Sequence, residues 1–352
     1  MKFPNKIELT LIFFILIGTV LRFWGIGFQQ MNWDEMFTME IAGPAWNLLP
    51  MVYHILTYDF TPPFYYIAAH FSMLVFGATA EAIRYPSAIF GVLLIPVMYL
   101  LGKEHRDELF GLMLAGFTTI FYNGIFYSKF GRAYSLELLF FAVVFYFFMK
   151  SLKGDGAARV WFAVFSVCCL WTHLFSVIPI GIMALWLLWD YGFEVRELRW
   201  FGILCIGSLP LLNYVNLVLG RVISYGDFGE PLWSIAFLIP LDIFTFSVFI
   251  LFPLAIWALW KHRKEQVVTV ISVMCITTWV AMMVLSFKTQ IILHYALPMT
   301  IPLIMMAMVP VYDAIKEKRL GFNHMVLIMV VVILEVVQIV ALMTIQRSWI
   351  GG

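Results

Sequence analysis

Charges in this chain fall in short islands, and the apolar runs between them are about 17 to 25 residues long, the length a helix needs to cross hydrocarbon. That spacing leaves no stretch from which a soluble domain of any size could be built. Composition agrees: of 352 residues, 63% are hydrophobic and 12% charged, against roughly half and a quarter in an average soluble domain. A chain this apolar could not cover its own surface with polar groups in water. The net charge of +1 says nothing by itself, since the signal lies in where the charges are. The expected fold is an all-α integral membrane protein forming a single domain over residues 1–352, with no soluble carboxy-terminal domain. About eleven transmembrane helices are expected, near 9–28, 84–102, 109–127, 133–150, 160–176, 177–190, 200–219, 240–260, 267–287, 296–312 and 325–345. The first run is too long for a signal-peptide core and lacks a small-residue cleavage site, so it is expected to remain as a span.

The stretch Thr61 to Gly77 decides the topology. Lys and Arg concentrate in cytoplasmic loops. If 61–77 lies along the membrane instead of crossing it, one face collects fifteen of the 22 basic residues, from Lys2, Lys6, Lys103 and Arg106 through to Lys316, Lys318 and Arg319. The other face keeps seven: Arg22, Arg84, Lys129, Arg132, Arg221, Lys288 and Arg347. A full crossing at 61–77 would invert every later loop and erase the asymmetry. The N-terminus is therefore expected in the cytoplasm, with residues 29–83 forming one long external loop. That loop is rich in aromatic residues (Trp33, Phe37, Trp46, Tyr53, Tyr58, Tyr65, Tyr66), which suits amphipathic helices lying in the interface.

The external face then holds a short set of charged groups: Asp34, Glu35, Glu40, Asp59, Arg84, Lys129, Arg132, Glu137, Asp227, Glu230, Lys288 and His294. Several sit at span ends, where an unpaired charge is costly, so a cavity in which carboxylates face cations is one reading. Each residue also has a plainer one. Asp34 and Glu35 suit the first turn of a helix, and Arg84, Arg132 and Lys288 could each snorkel to the interface. His173 suits a packing role, Asp242 the interface, and Glu335 a polar partner inside the bundle. Cys168, Cys169, Cys205 and Cys275 have neither metal-ligand spacing nor a place for a staple, and read as small buried hydrophobes.

Taken in order, the residues resemble a known pattern. Leu21-Arg22-Phe23 followed by Trp33-Asp34-Glu35 resembles the opening of the GT-C glycosyltransferases, in the protein O-mannosyltransferase and aminoarabinose-transferase branch. Thr61-Pro62-Pro63-Phe64-Tyr65-Tyr66 is similar to that branch's H-P-P-L-x-Y-Y segment, and Arg84-Tyr85-Pro86-Ser87-Ala88-Ile89-Phe90-Gly91 to its R-x-P-S-A-L-F-G. Tyr127-Ser128-Lys129-Phe130-Gly131-Arg132-Ala133-Tyr134 resembles its Y-S-Q-E-A-R-M-Y loop, and His294-Tyr295-Ala296-Leu297-Pro298 its R-Y-L-L-P. The order of the motifs carries the resemblance, over the first 135 residues or so and again near 290; residues 140–285 match in hydropathy alone. Thr61 stands where the branch has His, Lys129-Phe130 where it has Gln-Glu, and His294 where it has Arg. The metal-holding residues of the aminoarabinose branch have no clear counterparts, so no metal ligand is assigned, although the chemistry leaves room for a divalent cation.

The resemblance implies an inverting transfer of a hexosyl or pentosyl group from a polyprenyl-phosphate-linked donor, of the dolichyl-phosphate-mannose kind, to an acceptor hydroxyl outside the cytoplasm. One carboxylate suffices as base, and phosphate leaves without a second acid, unlike the leaving group in glycoside hydrolysis. Positive charge must meet the phosphate, and arginine forks suit it. By resemblance Asp34 is the base and Glu35 its supporting neighbour, with Arg84, Arg132, Lys288 and His294 as the phosphate cradle. The partners implied are the lipid-linked donor, a protein, glycan or lipid acceptor (protein glycosylation being one such outcome) and the surrounding lipids of a plasma or ER-type membrane. Nothing points to nucleic acid. The alternative class is a transporter or flippase of lipid-linked saccharides, which should show two related halves and broken helices near the midplane.

Overall fold

A computed structural model of the chain describes residues 5–59, 61–192, 194–224, 239, 240, 243, 245–286, 293–318 and 321–348, with His294 described by its backbone alone. Among them lie fifteen α-helices: α1 (Lys6–Phe23), α2 (Trp33–Ile41), α3 (Leu48–Tyr58), α4 (Phe64–Phe76), α5 (Ala80–His105), α6 (Glu108–Ile120), α7 (Tyr122–Ser128), α8 (Tyr134–Leu152), α9 (Gly156–Leu170), α10 (Val177–Tyr191), α11 (Val195–Ser224), α12 (Val248–Lys261), α13 (Gln266–Ser286), α14 (Thr300–Lys316) and α15 (Phe322–Ser348). No strand occurs among the described residues.

Short polar side chains set where these helices begin. Asn5 and Glu8 satisfy each other's backbone amides in a capping box at α1, and Asn32 and Glu35 do the same at α2. Thr79 caps α5, Asp107 caps α6 and Asp155 caps α9. The stretch 29–83 therefore carries three short helices, α2 to α4, before α5 opens at Ala80. Arg84 lies in the second turn of α5 and not at its start.

Among the described residues, six helical stretches are long and apolar enough to cross a membrane: Ala80–His105, Tyr134–Leu152, Leu174–Tyr191, Gln266–Val284, Tyr295–Lys316 and Met325–Thr344. The pair α6 and α7 makes a seventh if its 56° bend is counted within one span. The protein is thus a multi-pass integral membrane protein, with six or seven candidate spans among the described residues beside the eleven or so expected from sequence. Four expected spans are not among them, 9–28, 160–176, 200–219 and 240–260, the last two including residues outside those described or described by backbone alone. α1 carries Lys6, Glu8 and Arg22 within its 18 residues, while α9 and α12 are apolar but have only 15 and 14 residues. α4, within the 61–77 segment that is not counted among the expected spans, has 13. α1 nonetheless exposes Leu9, Ile12, Phe13, Leu16 and Val20 along one face, as a helix against lipid would.

Contacts divide the chain into two compact units, one made of Met1–Leu56, Pro63–Ala142 and Val311–Gly352, the other of Thr57–Pro62 and Val143–Pro310. In the first, α5 packs against α1, α4 and α6, and α15 against α6 and α7. α5 and α6 meet backbone to backbone: a Cβ on Gly102 would stand 2.8 Å from the Gly111 Cα, and one on Gly111 2.5 Å from the Tyr99 carbonyl. The short helices bury Met51, Ile55, Tyr65, Tyr66 and Met73 against Ile83 and Leu136. In the second unit, α9 packs on α11, with the Trp171 indole donating to the Gly207 carbonyl at 2.9 Å. His173 fills the packing role expected of it, its ring 5.5 Å from that of Tyr295. Of the four cysteines, all free, Cys169 is buried but Cys205 is exposed, contrary to the expectation that all would be buried.

Candidate functional site

The acidic motif sits on the first turn of α2, and its two carboxylates part company there. Glu35 turns inward. Its Oε1 accepts from Arg84 Nε at 2.6 Å and from the Gly131 amide at 2.7 Å. Its Oε2 accepts from Arg84 Nη2 at 2.7 Å and from the Asn32 amide at 3.4 Å. The Arg84 side chain is fully buried, and its remaining donors go to the carbonyls of Ile26 (2.8 Å), Gln29 (2.9 Å) and Gln30 (3.5 Å). A guanidinium has five N–H groups, and here all five are engaged. Arg84 therefore stitches three pieces of chain together: the segment after α1, the start of α2, and α5 itself.

Asp34, one residue earlier on the helix, is exposed. Its carbonyl accepts from the Thr38 hydroxyl at 3.0 Å. Residues four apart share a helix face, so Asp34 and Thr38 stand one turn apart on the same side of α2. The Thr38 hydroxyl also meets Arg132, whose Nη1 donates to it at 3.3 Å and to the Tyr66 hydroxyl at 3.1 Å, with the guanidinium 6.0 Å from the Tyr66 ring centre. The Thr38 hydroxyl thus links the Asp34 backbone carbonyl to the Arg132 guanidinium.

The loop that carries Arg132 is held from beneath. Ser87 of α5 donates to the Phe130 carbonyl at 2.7 Å, lies 3.2 Å from that of Arg132, and shares a 2.7 Å hydrogen bond with the Tyr65 hydroxyl. Gly131 is needed for close approach, because a Cβ there would stand 2.8 Å from Ile83 Cδ1 and 3.2 Å from Glu35 Oε1. Lys129 is buried and donates to the Trp24 carbonyl at 2.7 Å. Burial, with the nearby Arg22 charge added, draws its ammonium down to about 8.

Of the six residues singled out in the sequence, Glu35 and Arg84 form an ion pair, Arg132 reaches Thr38 of α2, and Asp34 stands one turn from Thr38 with its side chain exposed. Lys288 lies outside the described residues, as do Asp227, Glu230 and Asp242, and the His294 side chain is not described. Among the described residues no three His, Cys, Asp or Glu side chains converge to hold a metal. Sequence reasoning passed over Thr38, whose hydroxyl gave no periodic signal, and named Ser87 in a motif without a role. It named Tyr65 and Tyr66 in a motif without giving either a role.

No family model and no curated protein matches the chain. Solved structures do. ArnT from Cupriavidus metallidurans bound to undecaprenyl phosphate superposes with a TM-score of 0.60 at 16% identity, covering 85% of this chain and 59% of that one. The archaeal oligosaccharyltransferase AglB from Archaeoglobus fulgidus, in complex with an inhibitory peptide and a dolichol-phosphate, gives a TM-score of 0.55 at 13% identity, covering 96% of this chain and 55% of that one. The chain spans less than two thirds of either. It has the GT-C membrane glycosyltransferase fold seen in ArnT and AglB.

Proposed function

We infer that the chain is a membrane glycosyltransferase that moves a sugar from a polyprenyl-phosphate-linked donor to an acceptor hydroxyl on the extracytoplasmic face, by a single inverting displacement. One observation carries this reading: on a scaffold of this fold, Arg132 is fixed against Thr38 of α2, one helical turn from Asp34, whose side chain is exposed. Asp34 takes the proton of the acceptor hydroxyl as its oxygen bonds to the anomeric carbon. The bond from that carbon to the phosphate oxygen breaks, and the departing polyprenyl phosphate gains negative charge. Arg132 faces that charge, with Lys288 and His294 as the further cations proposed from sequence. Cationic groups fixed in advance where charge develops stabilise the transition state without reorganising.

Arg84 was expected in the cradle. With all five donors spent on Glu35 and backbone carbonyls, we assign it and Glu35 instead to holding α2 against the Arg132 loop. The support for a lipid-linked donor is the fold shared with proteins solved with undecaprenyl phosphate and dolichol-phosphate. The basic asymmetry of the loops supports the extracytoplasmic face.

The test is release of free polyprenyl phosphate from a polyprenyl-phosphate sugar by the protein in nanodiscs, with a panel of hydroxyl acceptors. Asp34→Asn should lower turnover by about 10²–10⁴-fold, the usual contribution of a general base, and leave polyprenyl-phosphate binding intact. Retained turnover would remove Asp34 from the role of base, and no release by the wild type with any acceptor would overturn the enzyme reading.

A further inference from the structure

One acid takes no part in that reaction. Glu335 lies within α15, completely buried, and its Oε2 accepts the backbone amide of Tyr122 at 2.8 Å. That amide opens α7, directly after the break at Phe121 where α6 ends. The first amides of a helix have no partner within it, and hydrocarbon supplies none. The other side of the break is met by a charge of opposite sign. Arg22 of α1 donates to the Thr118 carbonyl at 2.9 Å and to that of Thr119 at 3.3 Å. Its guanidinium occupies a glycine-lined slot, since a Cβ on Gly91 would stand 3.0 Å from Arg22 Nε and one on Gly18 3.2 Å from Nη1. A cation thus faces the freed carbonyls and a carboxylate the freed amide.

What the break delivers is the site loop. α7 is seven residues long, and directly behind it come Lys129, Gly131 and Arg132. Ile125 of α7 packs against Ile339 and Leu342 of α15, so the Glu335 contact and an apolar contact one turn further along fix the same two helices. We propose that Glu335 is a positioning residue: through the Tyr122 amide it sets α7, and α7 sets where the Lys129–Arg132 loop meets α2. The inference rests on the function proposed above, in which Arg132 faces the donor phosphate.

Hydrogen exchange on the full chain in nanodiscs, paired with transfer kinetics, tests it. Glu335→Ala should speed exchange over residues 122–132 by about tenfold, in keeping with the loss of a hydrogen bond to a charged group, while residues 108–118 of α6 stay protected. The donor KM should rise more than kcat falls. Glu335→Gln keeps an acceptor oxygen and should restore both. Tyr122→Pro removes the same bond from its other end. The first helical position tolerates proline, and Phe121 at φ −62°, ψ 117° already has the extended backbone a residue before proline prefers. With Tyr122→Ala as the control for the ring, Tyr122→Pro should match Glu335→Ala, and the double variant should be no worse than either. If Glu335→Ala does not fold, Tyr122→Pro decides. Unchanged exchange over 122–132, failure of Glu335→Gln to rescue, or altered exchange with unchanged KM would each overturn the proposal. Exchange needs no donor, so a wild type that binds and turns over nothing would fell the functional reading separately.

Discussion

At the scale of single residues, Asp34 and Glu35 show how little adjacency says about role. Both belong to the first turn of α2, a reading open from sequence alone because acids favour that turn. The partner of Glu35 was not legible, since Arg84 lies 49 residues away and pairing across that separation leaves no periodic trace. The consequence is measurable. Removing one member of a buried ion pair strands the other, at a cost of about 3–5 kcal/mol. Arg84→Ala should therefore lower the thermal unfolding midpoint in detergent sharply, beyond any effect on donor affinity. Arg84→Lys should recover only part of the loss, because an ammonium cannot reproduce the fork. An unchanged midpoint in Arg84→Ala would mean that the pair is dispensable and that Arg84 is available for the phosphate after all.

At the scale of elements, charge islands and apolar runs located most helices, and caps fixed their starts; the break between α6 and α7 stayed hidden. Residues 109–127 read as one uninterrupted span, and the carboxylate that meets the freed amide is 213 residues further on. The opposite end of the same helix carries a clearer device. Asp107 caps α6 by accepting from the Phe110 amide at 3.0 Å, and it also accepts from the Tyr312 hydroxyl at 2.8 Å and Lys316 Nζ at 2.6 Å, tying α14 to the start of α6. Burial alone would raise its pKa, but the bonds from Lys316, the Phe110 amide and Tyr312 outweigh it and hold the carboxyl at about 2. The folded value lies below the unfolded one near 3.9. The stabilisation is thus present above the unfolded value and lost as pH falls from about 4 toward 2. Asp107→Ala should cost about 1 kcal/mol at neutral pH, the usual worth of an N-cap. Asp107→Asn should keep most of the cap while flattening the acid limb between pH 4 and 2. Unfolding midpoints measured across that range check both.

At the scale of the whole molecule, membrane class and GT-C resemblance were both legible, because each depends on features spread along the chain. Hydropathy alone does not register where a run is cut short by a cap or bent at a residue such as Phe121, so the sequence showed which stretches are apolar but not which form one long helix. From the basic asymmetry we propose that residues 29–83 lie outside the cytoplasm. In a background lacking Cys168, Cys169, Cys205 and Cys275, single cysteines at Gln30 and Lys103 probed on intact cells with an impermeant thiol reagent should label at Gln30 only. Labelling at Lys103 instead would invert the map. The first compact unit also carries a consequence for biosynthesis. It is assembled from Met1–Leu56, Pro63–Ala142 and Val311–Gly352, so its two ends are synthesised with most of the other unit in between. Closure of so long a separation is slow, and domains emerge from the ribosome in chain order. During translation the Tyr122 amide is made 213 residues ahead of its partner Glu335, so on the proposal above the Lys129–Arg132 loop takes its final place only after α15 has joined α7.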